Sequence, residues 1–184
     1  MTILFDASIH FGQFNPRDEA MRIACKNSQV AIATKPGGAI RALAPFNENS
    51  WVDHVIWDLG RHEQDLFYPF MDVFHSVKVI DRIPLTAEDS RRAIEIHDRF
   101  KLDISNALSC AISIREHVDE VHTFYPSLLE SDIVAHMRGY GVLVKQPPYS
   151  DEIVFAEPGL EDHYQKALTM CRAKGLDLVS KLHI

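Results

Sequence analysis

The stretch "FKLDISNALSCAISI", residues Phe100–Ile114, decides how the rest of this chain is interpreted. Apolar residues recur at helical spacing after Asp103, which predicts the start of an amphipathic helix. Asp103 and Asn106 are three residues apart, so their side chains project from the same helix face. The pair is either part of a metal-binding edge, whole or partly lost, or a helix N-terminus capped by Asp103. Capping is the simpler explanation, and we favour it.

Short apolar runs alternate with helical patterns on both sides of this stretch. Continuous apolar character without polar alternation is typical of strands buried on both faces of a parallel sheet. Thr86 and Asp89 have the spacing of a capping box ahead of a further helix. The alternation therefore predicts an α/β layered fold around a mainly parallel sheet. The predicted strands lie at residues 2–5, 30–33, 77–80, 120–124 and 141–144.

The pattern changes after the adjacent prolines of "KQPPY", residues 145–149. An apolar stripe from Leu160 to Cys171 predicts a last helix that ends at Gly175. Because that stripe needs a surface to cover, we expect the helix to pack on the preceding domain. The predicted organisation is one domain at 1–147 and a C-terminal helical extension at 148–184.

Composition and charge exclude several classes of protein. The chain has 184 residues, of which 46% are hydrophobic and 24% charged, as in ordinary globular domains. No apolar run reaches the roughly 18 residues of a membrane helix, and three scattered cysteines suggest reduced thiols. We therefore predict a cytoplasmic protein with no membrane association. A formal net charge of -7 argues against broad nucleic-acid binding and leaves room for a local basic patch.

Sites in an open parallel sheet lie at the carboxyl ends of its strands. Asp6 directly follows the first predicted strand, with Ser8 beside it, and "TFYPS", residues 123–127, follows the fourth. We expect these residues to meet at one edge of the sheet. A cap for the next turn explains Asp6 about as well as a functional site does.

A second candidate at that edge is "TKPGGAIR", residues 34–41, which we place after the second predicted strand. Its glycine pair is flanked by Lys35 and Arg41, so backbone N–H groups and two cations could hold a phosphate. Neither the GxGxxG nor the GxxxxGK[ST] pattern is present, so a nucleotide-binding loop is not supported. A plain turn between a strand and a helix remains the simpler interpretation.

Three stretches together resemble the PIN-domain family, which includes the VapC-type toxin ribonucleases of toxin–antitoxin pairs. They are "ILFDASI" at 3–9, "VIDRIPLTAEDSRRAIEIHDRFKLDISNALSCAISIREHVDEVHTF" at 79–124, and "GVLVKQP" at 141–147. The resemblance covers most of residues 1–147, and its most specific part is 79–124. It implies an α/β/α fold in three layers. It also implies acidic residues that hold Mg²⁺ or Mn²⁺ and cleave single-stranded RNA, a chemistry suited to hard oxygen ligands.

The acidic residues of that family are mostly replaced in this chain. Asp6 stands at the first acidic position. The expected glutamate falls near residues 39–40, where the sequence is Ala-Ile. The aspartate of the "DAL" motif is Asn106 in "NAL", and that of "TFD" is Tyr125 in "TFY". The resemblance therefore implies a damaged metal site.

Two functional hypotheses follow from the resemblance. The first is a PIN-like domain with weak or absent nuclease activity that binds RNA, through Lys35 and Arg41, or an antitoxin-like protein partner. The second is an active Mg²⁺- or Mn²⁺-dependent endoribonuclease. Whether the chain is an enzyme stays open, and we lean towards reduced or no activity. In the second hypothesis the catalytic and metal-binding residues are Asp6, Asp103 and Asn106, supported by Ser8 and Thr123.

A third hypothesis is an interaction protein without a nucleic-acid role. It would form a homodimer through the aromatic helix predicted at 66–74, which carries Phe67, Phe70 and Phe74. Phenylalanines at helical spacing belong to a core more often than to an interface. This hypothesis therefore ranks last.

Overall fold

A five-stranded sheet forms the centre of the molecule. The computed structural model describes residues 1–15, 17–34, 41–45, 80–147 and 160–175. The strands are β1 (Thr2–Phe5), β2 (Arg41–Pro45), β3 (Ile80–Ile83), β4 (Glu120–His122) and β5 (Leu143–Lys145). Their order is β3-β2-β1-β4-β5, and each neighbouring pair is parallel. The predicted α/β fold with a mainly parallel sheet is confirmed.

Helices cover both faces of this sheet. They are α1 (Ala7–Gly12), α2 (Glu19–Thr34), α3 (Ala87–Phe100), α4 (Ile104–Arg115), α5 (Ser131–Arg138) and α6 (Leu160–Lys174), with a 3-10 helix at Pro126–Leu129. Among the described residues, none of these helices combines the length and the apolar character needed to cross a membrane.

The two faces of the sheet carry different side chains. On one face Leu4, Val121 and Val144 join a large apolar core with residues of α3, α4 and α5. We call this the apolar side. On the other face Ile3 and Phe5 pack against residues of α1 and α2. We call this the mixed side, because its buried side chains include many polar ones.

The α1 and α2 helices approach each other closely at Gly12. A Cβ atom at this position would collide with Cys25 Sγ and touch Met21. The C-terminal helix α6 adds Tyr164, whose hydroxyl donates to the Gln13 carbonyl at 2.8 Å. The mixed side is therefore built from α1, α2 and α6 together.

Local start signals predicted several helices correctly. Thr86 Oγ1 accepts from the Asp89 N–H at 3.2 Å, and Asp89 Oδ2 accepts from the Thr86 N–H at 2.8 Å, which completes a capping box. The α6 helix lies where the apolar stripe placed it and ends before Gly175, whose φ is +63°. The boundary between residues 147 and 148 stays a prediction.

One predicted strand is wrong. Residues 30–33 belong to α2, a helix of 16 residues. A short apolar run has the same appearance in a buried strand and in a buried helix. The helical period is visible upstream, where the buried residues Met21 and Cys25 are four positions apart. Instead, β2 pairs with β1. The aromatic helix predicted at 66–74 lies outside the described residues.

Candidate functional site

Asp6 lies at the carboxyl end of β1 and is fully buried. Its Oδ1 caps α1 by accepting from the Ser8 N–H at 2.9 Å, and it also accepts from the Ser8 hydroxyl. The Ser8 oxygen in turn accepts from the Phe124 N–H at 2.7 Å. Ser8 therefore connects Asp6 to the turn that follows β4.

The environment of Asp6 disfavours a negative charge. Burial raises the pKa of its carboxyl to about 6, and the hydrogen bonds from Ser8 and from the Thr123 side chain oppose this rise only in part. Its second oxygen, Oδ2, is buried and makes no hydrogen bond within the described part of the chain. A group of this kind takes up a proton much more readily than an exposed aspartate.

Thr123 organises the turn after β4. It is fully buried, its N–H donates to the Lys145 carbonyl at 3.1 Å, and its Oγ1 accepts from the Tyr125 N–H at 3.0 Å. These bonds join the ends of β4 and β5 and fix the backbone of residues 123–125. The supporting position predicted for Thr123 therefore lies in the turn that contacts Ser8.

Asn106 and Asp103 play different parts in the first turn of α4. Asn106 is buried, and its Nδ2 donates to Ser127 Oγ at 3.3 Å. Asp103 is exposed, and its Oδ1 accepts from the Ser105 N–H at 2.8 Å. The interpretation of Asp103 as the helix cap is confirmed.

The turn at residues 123–127 contacts both parts of the predicted site. Phe124 bonds to Ser8 beside Asp6, and Ser127 bonds to Asn106. We call Asp6, Ser8, Thr123, Asn106 and Ser127 the turn cluster. Sequence reasoning selected the "TFYPS" segment but missed Ser127 itself, because nothing in the sequence indicates which residue of that segment faces Asn106.

The sequence is matched over residues 1–174 by the model of a family of unknown function, DUF6190. The chain belongs to the DUF6190 family. No curated protein matches it. One similar solved structure is that of VapBC2 from Rickettsia felis bound to a DNA fragment from their promoter. The two chains are 11% identical, the match covers 80% of this chain and 100% of that chain, and the TM-score is 0.55. At this identity the likeness shows a shared fold alone.

Of the two phosphate-binding residues predicted for this DUF6190 chain, the structure describes the backbone position of Arg41. Arg41 begins β2 and is in register with Thr2, at the amino end of β1, whereas Asp6 follows its carboxyl end. In chain order a helix, α2, comes before the segment "TKPGG", so the prediction that this segment follows a strand is wrong. Lys35 lies outside the described residues, and phosphate binding by Lys35 and Arg41 stays a prediction.

The turn cluster supplies few ligands for a divalent cation. Its one carboxylate is that of Asp6, and its other oxygens come from an amide and three hydroxyl groups. Among the residues that the structure describes, no group of three or more His, Cys, Asp or Glu side chains is arranged to hold a metal. Neutral oxygens complete a Mg²⁺ shell but attract the ion less than carboxylates do. This donor set fits a strong Mg²⁺ or Mn²⁺ site poorly.

Further buried polar groups lie on the mixed side, and sequence reasoning did not identify them. His122 contacts Glu120 Oε2 through Nε2 at 2.8 Å and Ser28 Oγ through Nδ1 at 3.4 Å. Burial lowers the pKa of His10 to about 4 and that of Lys26 to about 8. Histidine and lysine are usually exposed, so only the fold reveals that these side chains are buried.

Proposed function

We propose that this protein is a PIN-like domain whose nuclease centre has degenerated, and that it acts by binding a partner without cleaving RNA. The observation that carries the proposal is that Asp6 is the one carboxylate in the turn cluster. The shared fold with the VapBC2 structure supports the PIN-like relationship. The retained helix and strand pattern at 79–124 supports it independently of that likeness.

The chemistry of phosphodiester cleavage explains why one carboxylate is too few. A metal-dependent nuclease must hold a cation firmly enough to activate water and to offset the charge of the phosphate. Asn106 contributes no charge, and Asp103 is occupied in capping α4. Asp6 is buried with a raised pKa of about 6, so its charge is costly even before a metal is considered.

We further propose that the partner is a protein of the antitoxin kind. The likeness to the VapBC2 structure supports this choice. A net charge of -7 disfavours extended contact with a phosphate backbone. Arg41 is in backbone register with Thr2 at the amino end of β1, and this position supports a partner other than RNA at the end of β1 that carries Asp6. The homodimer and the cytoplasmic location stay predictions.

The test is a cleavage assay on the full chain with labelled single-stranded RNA and millimolar Mn²⁺. We expect no cleavage above the level of Asp6→Ala, and no Mn²⁺ binding by calorimetry. Mn²⁺-dependent cleavage that disappears in Asp6→Ala would contradict the proposal.

A gain-of-function variant tests the same proposal from the opposite direction. Asn106→Asp together with Tyr125→Asp restores two of the replaced acids. If the scaffold is a degenerate PIN-like centre, this double variant should bind Mn²⁺ more tightly than the wild type. The matched control is Asn106→Asp with Tyr125→Asn, which adds one charge fewer. Equal Mn²⁺ affinity in the double variant, the control and the wild type would count against a PIN-like ancestry of the site.

The second candidate, an active endoribonuclease that uses Asp6, Asp103 and Asn106 with Mg²⁺ or Mn²⁺, has one observation in its favour. Asp6 Oδ2 makes no hydrogen bond among the described residues, as expected of an oxygen that serves a ligand. Asp103→Asn separates the two candidates, because asparagine keeps the helix cap and removes the carboxylate. Loss of Mn²⁺-dependent activity in this variant, with unchanged stability, would favour the enzyme.

A further inference from the structure

A pocket of about 300 Å³ opens between α3 and α5. Its volume is at the lower end of the range of small-molecule sites. None of its lining residues belongs to the turn cluster. The pocket combines cationic and aromatic side chains, and these two groups suggest what it binds.

Three arginines from α3 supply the positive charge. Arg91 and Arg92 both pair with Glu88, at 3.0 Å and 3.9 Å, so their charge is partly neutralised. Arg99 is exposed, and its guanidinium lies over the Phe100 ring at 4.9 Å. Within the described part of the chain Arg99 has no ion pair. Its N–H groups therefore remain available to an anion.

Three aromatic rings line the pocket beside Arg99. The Phe100 and His136 ring centroids are 4.9 Å apart, and those of His136 and Tyr140 are 5.3 Å apart. Tyr140 is 53% exposed, which is unusual for a large aromatic side chain in contact with other rings. Its accessible ring is a surface on which a planar group can stack.

We propose that the pocket between α3 and α5 binds a nucleoside phosphate, with the phosphate on Arg99 and the base against Tyr140 and His136. Guanidinium groups bind phosphate oxygens through paired N–H donors, and aromatic side chains stack on bases. Glu95 also lines the pocket and can accept hydrogen bonds from ribose hydroxyls. The inference does not depend on the proposed loss of nuclease activity, because it uses none of the turn-cluster residues.

The aromatic side chains favour a nucleotide over the other anions that arginines attract. An acidic peptide or inorganic phosphate would use Arg99 and would not require Tyr140. Burial, and then the nearby Arg99 charge, lower the pKa of His136, so its ring is neutral at pH 7 and adds no positive charge. An anion site alone therefore leaves the Phe100–His136–Tyr140 arrangement unexplained, whereas a base explains it.

Calorimetric titration of the full chain with adenosine diphosphate and uridine diphosphate, in buffer containing a chelator, tests the proposal. We expect binding of both, with adenosine alone and inorganic phosphate alone binding more weakly. Arg99→Gln should weaken nucleotide binding by about tenfold, since a charge-assisted pair is lost. Tyr140→Ala should weaken it by about fivefold or more, and Tyr140→Phe should keep the affinity.

The matched control is Arg138→Gln, which removes an exposed arginine of α5 that does not line the pocket. It should change the affinity by less than about twofold, because salt screens an exposed charge outside the pocket. The net charge changes equally in both arginine variants, so a difference between them reports on the pocket itself. Circular dichroism and thermal unfolding verify that each variant is folded. Chemical-shift changes at Tyr140 and His136 on titration locate the binding site directly.

Four results would overturn the proposal. The first is no nucleotide binding at millimolar concentration. The second is equal loss of affinity in Arg99→Gln and Arg138→Gln, which indicates general electrostatics. The third is binding of inorganic phosphate as tight as that of nucleotides, with no effect of Tyr140→Ala. The fourth is binding of an oligonucleotide or an acidic peptide without binding of free nucleotides. Since the chelator removes divalent cations, none of these results bears on the nuclease question.

Discussion

Both sides of the sheet carry buried side chains, but the two sides differ in chemistry. On the apolar side Leu4, Val121 and Val144 contact apolar residues of three helices. On the mixed side Phe5 contacts His122 edge to face, with ring centroids 5.6 Å apart. The apolar side gains most of its stability from the burial of apolar side chains, whereas the mixed side must also offset the cost of removing histidine, lysine and carboxyl groups from water. Ionisable groups on the mixed side should therefore make the free energy of unfolding depend on pH. Substitution of a single such group should change that pH dependence.

The difference between the two sides also appears in buried polar atoms that make no hydrogen bond. Gln13 Oε1 and Arg22 Nε are buried without a hydrogen bond among the described residues, as is Asp6 Oδ2. All three belong to the mixed side or to its edge at the end of β1. A buried polar atom without a hydrogen bond lowers the free energy of unfolding. Substitutions that remove such an atom should therefore stabilise the protein more often on the mixed side than on the apolar side.

The largest expected effect comes from removing the residue that closes the mixed side. Tyr164 is fully buried, packs on Phe14 and donates to the Gln13 carbonyl. Tyr164→Ala should lower the free energy of unfolding by about 3 to 5 kcal/mol, measured by urea denaturation. Tyr164→Phe is the control and should cost about 1 to 2 kcal/mol, because it keeps the ring and removes the hydroxyl, which donates to the Gln13 carbonyl and accepts from Arg22 Nη1. Equal losses in the two variants would show that the ring contributes little.

The second effect is a pH dependence caused by His10. Its folded pKa is about 4 and its ordinary value is 6.5, so only the unfolded chain binds the proton between these values. Stability contributed by the neutral ring is present above pH 6.5 and is lost as the pH falls towards 4. As the pH falls from 7 to 4, the free energy of unfolding of His10→Gln should rise by about 3 kcal/mol relative to that of the wild type. A difference that stays constant with pH would contradict the buried neutral histidine.

Asp6 should show the opposite pH dependence with a smaller amplitude. Its folded pKa is about 6, above the ordinary 3.8, so stability present below pH 3.8 is lost as the pH rises through 6. Asp6→Asn should therefore be more stable than the wild type by about 2 to 3 kcal/mol at pH 7, and most of this gain should be lost near pH 4. Unfolding curves at several pH values test this, and a loss of stability at pH 7 would contradict it.

Substituting His10 and Asp6 together gives a separate prediction about the pH dependence of stability. Their contributions have opposite signs over nearly the same pH range, so in the wild type they largely cancel. The double variant His10→Gln with Asp6→Asn should match the wild type in pH dependence, while each single variant departs from it. Departure of the double variant would show that the two sites interact or that one of them is exposed.

The smallest expected effect lies at the start of α4, on the apolar side. Asp103 accepts from the Ser105 N–H, so Asp103→Ala should cost about 1 kcal/mol. Asp103→Ser retains a capping oxygen and should cost less than about 0.5 kcal/mol. Thermal unfolding at neutral pH distinguishes them. Equal losses in the two variants would show that the cap is not what stabilises the helix end.

The sequence was sufficient wherever local chemistry decides the structure. The Thr86–Asp89 capping box, the Asp103 cap and the stripe of α6 depend on residues a few positions apart, and the structure contains all three. The sequence was insufficient where pairing across the molecule decides. The β2 strand, "RALAP", has little intrinsic strand preference, and it is a strand because it lies between β1 and β3.

The residues of the candidate site also differ in whether the sequence could predict them. Asp6 and Ser8 were identified because a parallel sheet places its functional residues at the carboxyl ends of its strands. The bond between Asn106 and Ser127 was not, because it joins two segments 21 residues apart in a turn whose direction is fixed by Thr123. The burial of Lys26 has no local signal at all, since its contact is the Tyr164 ring, 4.5 Å away in α6.

The hydrogen bond from Tyr164 to the Gln13 carbonyl also has a consequence for how the chain folds as it is made. The two residues are 151 positions apart, so this contact can form only when most of the chain has been synthesised. The apolar side draws mainly on the continuous segment 80–145, with Leu4 already available, and can assemble earlier. Domains generally fold in the order of synthesis, and distant contacts form late. A nascent chain therefore carries an unfinished surface on one side of its sheet until α6 arrives to complete it.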